Sequence, residues 1–92
     1  MLLEDVKREL RISNSEYNSE VEELIQSAMA DMMIPQIDVD KITGDDPLIK
    51  RAVILYCKAH FGLDNKDSEK YMRSYEILLE KLSLSLLYKD VT

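Results

Sequence analysis

The stretch Asp45-Asp46-Pro47-Leu48-Ile49-Lys50-Arg51-Ala52-Val53-Ile54-Leu55-Tyr56-Cys57-Lys58-Ala59-His60-Phe61-Gly62 constrains this chain more than any other. It carries its own start and stop signals. Asp46 is a good N-cap, and Pro47 follows at the first helical position, where its missing N–H costs nothing. Gly62 suits the left-handed residue just past a helix end. Between these marks the segment, about 47–61, is apolar on almost every side, which predicts a central helix covered by others. A chain that must bury such a helix has to build a helical domain around it.

The flanking segments supply the cover. Leu3, Val6 and Leu10 recur at spacings of three and four, so residues 2–10 read as a short amphipathic helix. Arg11 to Asn18 is a polar loop. Ser19 and Glu22 form a capping-box pattern for a second helix, about 20–34. Val21, Leu24, Ile25, Ala28, Met29 and Met32 fall within an arc of roughly 140° on it. Pro35 ends that helix. Met33 and Ile34 lie off the apolar arc, either as fraying end residues or as a contact surface.

Residues 36–44 contain the alternation Ile37-Asp38-Val39-Asp40, which fits a short β-hairpin arm or an extended loop. Leu63 to Asp67 reads as a turn. A fourth helix, about 68–82, places Tyr71, Tyr75, Leu78, Leu79 and Leu82 on one face. Residues 83–92 begin apolar, at Leu84 and Leu86, and end polar. That is too apolar for a purely disordered tail. It reads as a segment that docks on its own subunit or on a neighbour. The fold class is therefore all-α, a small four-helix domain spanning 1–92 with an extended tail at 83–92. Only two Gly and two Pro leave little room for a turn-rich β architecture. At 92 residues the core is small, and association would add stability.

Charge is distributed unevenly. Residues 1–34 hold eight acids and three bases, whereas residues 48–63 hold three bases and no acid. The total is −6. Binding to phosphates needs clustered Lys and Arg, so nucleic-acid affinity is disfavoured. The start Met1-Leu2-Leu3 turns charged at Glu4, unlike a secretory signal. No apolar run approaches the roughly 20 residues that span a bilayer. A soluble protein made inside the cell, with no membrane association, is expected.

No catalytic constellation emerges. Cys57 and His60 share a helix face three residues apart, but two ligands do not make a closed zinc site. Cys57 as a nucleophile would lack an orienting acid and oxyanion donors, so a packed core cysteine is expected. The acids do not follow a calcium-loop spacing. The reading is of a non-enzyme without cofactor or metal.

One feature favours association. Lys50, Arg51 and Lys58 share an arc of about 100° on the central helix, with Ile54 in its middle. Ile54 is either half-covered by lysine stems or buried against another chain. A basic stripe here, and acidic helices elsewhere, suit head-to-tail contacts. The stripe, together with Glu20, Glu23 and Met33, makes the candidate subunit interface.

These elements together resemble the small head–tail connector (DNA-packaging) proteins of tailed bacteriophages and prophages. The similarity rests on Leu2-Leu3-Glu4-Asp5-Val6-Lys7, the capped acidic second helix, and Asp46-Pro47-Leu48-Ile49-Lys50-Arg51-Ala52-Val53-Ile54-Leu55-Tyr56 with Ala59-His60-Phe61-Gly62. Asp64-Asn65, Glu69-Lys70-Tyr71, Ser74-Tyr75-Glu76 and Leu82-Ser83-Leu84-Ser85 complete it. The resemblance implies a structural role, with a homo-oligomeric ring, expected to be dodecameric, below the portal at the head–tail junction. Such a ring extends the DNA channel after packaging and meets a downstream head-completion or tail protein. The chain would be made in the bacterial host cytoplasm, and DNA would pass without specific binding. Leu84, Leu86, Leu87 and Tyr88 are the candidates for docking on the portal protein. The competing readings are a small helical protein-binding adaptor and a helix-turn-helix DNA-binding regulator. The second suffers because the one basic helix is too apolar to lie in a groove.

Overall fold

The computed structural model describes residues 2–35, 37–62, 66–85 and 87–88. Four helices follow one another: α1 (Leu2–Leu10), α2 (Asn18–Met32), α3 (Pro47–His60) and α4 (Ser68–Leu84), with a 3₁₀ turn at Val39–Lys41 between α2 and α3. Among the described residues there is no strand, and the architecture is all-α as expected. The apolar α3 is central and packs against each of the other three helices.

The core follows the helical periods. Val21, Ile25, Ala28 and Met32 of α2 are buried at spacings of four, three and four. On α3 the buried set is Ile49, Ala52, Val53, Cys57 and Ala59. Its small members, Ala52, Cys57 and Ala59, let neighbouring backbones approach. Val6 of α1 and Tyr75 and Leu82 of α4 close the cluster, joined by Ile37 from the loop.

The ends of α3 behave as the sequence predicts. Asp46 accepts hydrogen bonds from the N–H groups of Leu48 (2.9 Å) and Ile49 (3.1 Å). Phe61 leaves the helix in an extended conformation and Gly62 follows with φ +87°. Ser68 then donates its hydroxyl to the Ala59 carbonyl at 2.6 Å, using one of the acceptors that α3 leaves open.

Three boundaries differ from the sequence expectation. The Ser19–Glu22 capping box does not form. The cap position is Tyr17, without a side-chain cap, and α2 begins at Asn18. Tyr17 is drawn there by a tertiary contact, since its ring meets Phe61 edge-on at 5.6 Å. The Tyr17 carbonyl then accepts from the Val21 N–H at 2.9 Å and closes the first turn. At the other end α2 stops at Met32 and a turn occupies 33–35, because Pro35 disfavours helical geometry at Ile34. Finally, α4 continues through Leu84, beyond the expected Leu82.

The segment 37–44 is a loop and not a hairpin arm. The Asp38 carboxylate accepts from the Asp40 N–H at 3.0 Å and folds the chain into the 3₁₀ turn. Ile37 is consequently buried and Val39 exposed, whereas a strand would put both on one face.

Arg11 was not singled out by the sequence. It adopts φ +61°. Its N–H donates to the Arg8 carbonyl (3.1 Å) and the Ile12 N–H to the Lys7 carbonyl (2.9 Å), a Schellman closure of α1 with a half-buried apolar residue beyond it.

Candidate functional site

The basic stripe of α3 faces α1 as well as solvent. Lys50 Nζ lies 3.0 Å from Asp5 Oδ2, and Lys58 Nζ lies 3.5 Å from Glu9 Oε1. Asp5 also accepts from Arg8 at 3.3 Å. The Lys50 hydrogen bond holds the Asp5 carboxyl below its ordinary value, with partial desolvation pulling the other way. Lys58 additionally sits 5.4 Å from the centre of the Tyr71 ring on α4. Two of the three stripe cations are thus engaged within the subunit, and Arg51 stays exposed.

Ile54 is half-buried and forms part of the floor of a groove between α3 and α4. The groove has a volume of about 650 Å³. Ile54, Leu55, Ile77 and Leu78 supply apolar lining, Lys50, Arg51, Lys58 and Lys81 bring positive charge, and Glu9 of α1 adds one acid. The α4 half of this groove escaped the sequence reading. Ile77 lies off the Tyr71–Tyr75–Leu82 face, and an isoleucine at such a position was the available signal.

Glu20 and Glu23 lie exposed on α2. Glu23 and Glu22 border a second groove, of about 920 Å³, whose apolar side is Leu2, Leu3, Ile25 and Met29. Met33 and Ile34 stand out from the end of α2 with exposures of 56% and 77%. Met33 N–H donates to Ala30 O and Ile34 N–H to Asp31 O, both at 3.2 Å, so the pair sits in a hydrogen-bonded turn.

The C-terminal candidates divide. Leu84 and Leu87 are exposed, and Leu86 lies outside the described residues. Tyr88 is half-buried and tied to its own subunit. Its hydroxyl lies 3.0–3.1 Å from both Asp46 carboxylate oxygens, and its carbonyl accepts from the Asp38 N–H at 2.7 Å. Asp46 therefore serves α3 and the tail at once, which no local pattern predicts.

The groups with chemical potential are arranged for packing. Cys57 is fully buried, and burial pushes its thiol up to about 12, so it is a poor nucleophile at neutral pH. His60 is exposed, with its ring 4.3 Å from that of Tyr56. Among the described residues no three His, Cys, Asp or Glu side chains are grouped to hold a metal. No helix described is long and apolar enough to cross a membrane.

The described residues thus form a small all-α domain with a buried central helix, and with grooves and exposed apolar residues on its outer faces. Residues 2–89 match the family model described as "Phage connector protein", and the chain belongs to that family. No curated protein and no solved structure gives a comparable match. Membership carries a structural head–tail connector role and contact with other head or tail proteins at the head–tail junction of the virion.

Proposed function

We propose that this chain is the subunit of a ring, dodecameric on the virion, that sits below the portal, extends the DNA channel and joins the head to the tail after packaging. The family match over residues 2–89 carries this reading. Two features agree with it. The chain has a groove on α3 and α4 lined by four bases and one acid and, separately, an α2 without any Lys or Arg. A closed ring needs two different, complementary faces of this kind. A net charge of −6 suits a channel wall along which DNA slides without sticking.

Lys50, Arg51, Ile54 and Lys58 belong to one subunit face on this reading, and Glu20, Glu23 and Met33 to the other. Leu84, Leu86 and Leu87 form the portal-docking segment, with Leu84 and Leu87 facing solvent, while Tyr88, read from the sequence as a docking residue, anchors the segment to its own subunit through Asp46 and Asp38. A groove-reading regulator is disfavoured because α3, the helix without acids, is packed on three sides.

The test is the mass of the purified protein across a concentration series, by native mass spectrometry and light scattering, alone and with the portal protein of the same genome. A ring of about a dozen copies, lost in Ile54→Asp, is the expected result. A chain that stays monomeric alone and on the portal overturns the reading.

A further inference from the structure

Both halves of a complementary contact are present on this one chain. The convex half is the pair Met33–Ile34, more than half exposed and held in a hydrogen-bonded turn rather than on a loose end. Covering two adjacent exposed apolar side chains is favourable. The sequence that carries the pair is acidic. Between Arg11 and Lys41 the sequence has seven acids and no Lys or Arg. The last turn of α2 contains no base, so the partial negative charge of the helix C-terminus is uncompensated by its own side chains.

The concave half is the α3–α4 groove. Its apolar floor is Ile54, Ile77 and Leu78, with Arg51 and Lys81 exposed at its edges. An apolar knob at the negative end of α2 matches an apolar floor edged by Arg51 and Lys81, while Glu9, which also lines the groove, is paired with Lys58. The knob is on the end of α2 and the groove is on α3 and α4, and they share no residue.

We propose that Met33 and Ile34 of one copy seat in the α3–α4 groove of a second copy of this chain. The contact is heterologous, so it leaves one knob and one groove open on every pair. It therefore propagates, closing into a ring if the rotation per subunit allows. This deepens the ring reading and rests on it, naming which surface meets which. The basic groove edge meets the negative C-terminal end of α2.

The test uses the full chain with two variants, Ile34→Cys and Ile77→Cys, purified separately and mixed in equal amounts under mild oxidation. Cys57 is buried and stays in place. A seated knob raises the local thiol concentration, so the mixed disulfide is expected to form roughly tenfold or more faster than between Ile34→Cys and a control variant, Ser13→Cys, in an exposed loop. Equal rates overturn the proposal. Ile34→Asp, with unchanged helical circular dichroism, is the second arm. It is expected to abolish the ring seen for the unsubstituted chain, alone or on the portal. A ring that persists in Ile34→Asp sinks this contact and leaves the ring reading standing. A selective disulfide without any ring upholds the contact and sinks the ring.

Discussion

The Tyr75 hydroxyl donates to the Asp31 carboxylate at 2.7 Å, joining the middle of α4 to the last turn of α2 across 44 residues of sequence. Tyr75 is otherwise buried, with its ring 5.3 Å from that of Tyr56. Burial, the hydrogen bond and the Asp31 charge all push the Tyr75 hydroxyl up, so it stays protonated and donating. Tyr75→Phe should cost about 1–2 kcal/mol in urea unfolding, the worth of a hydrogen bond to a charged acceptor that water partly replaces. Asp31→Ala combined with Tyr75→Phe should cost clearly less than the sum of the two single changes. Strict additivity would show that the contact contributes nothing.

Arg11 holds a left-handed conformation that glycine adopts without a Cβ penalty. Arg11→Gly should raise stability by roughly 0.5–1 kcal/mol, and Arg11→Val should lower it by at least as much. Thermal unfolding followed by circular dichroism separates the two. A loss on Arg11→Gly would mean that the arginine side chain matters more than its backbone.

Asp46 caps α3 and holds Tyr88, so its two substitution partners should behave differently. Asp46→Ala is expected to cost about 1 kcal/mol through the lost cap and also to release the tail. Tyr88→Phe should release the tail alone. Hydrogen exchange at the Asp38 amide, which bonds to the Tyr88 carbonyl, reads that release in both variants. Unchanged protection in Asp46→Ala would show that the backbone contact suffices.

The fold should fail in base. Cys57 is raised from 9.0 to about 12 by burial, while Tyr56 and Tyr75 are raised above 10.0, by burial first and by Asp31 second. The unfolded chain releases these protons before the folded one does. Their contribution is therefore fully present below about pH 9 and lost as pH rises, at up to roughly 1.4 kcal/mol per pH unit for each group. Urea midpoints between pH 8 and 11 should fall steadily, and Cys57→Ala should flatten the portion between pH 9 and 10. A midpoint constant to pH 11 would contradict this.

In acid the sign reverses. Asp5 lies below its ordinary 3.8 because Lys50 bonds to its ionised form. That contribution is present above about pH 4 and disappears as pH falls further. Asp5→Asn should therefore be less stable than the parent at pH 6 and equal to it near pH 2, with the gap narrowing as salt is added. A gap independent of pH would point to packing instead of charge.

Much of the architecture was legible because it is local. The Asp46-Pro47 start of α3, the periodic apolar sets of α1, α2 and α4, and the stop at Pro35 all rest on interactions within about four residues. The charge asymmetry between α2 and α3, and with it the expectation of complementary faces, was equally plain in the amino-acid order. Tertiary structure decided what depends on distant partners. Phe61 draws Tyr17 into the cap position that Ser19 would have taken. Asp5 and Glu9 engage Lys50 and Lys58, which the α3 pattern alone left facing outward. Ile77 of α4 turns the stripe around Ile54 into a groove. Asp31 and Asp46, two acids among eighteen, become the anchors of Tyr75 and Tyr88. A helical period states which face a residue occupies, but which residue of another helix meets that face follows only from how the helices pack.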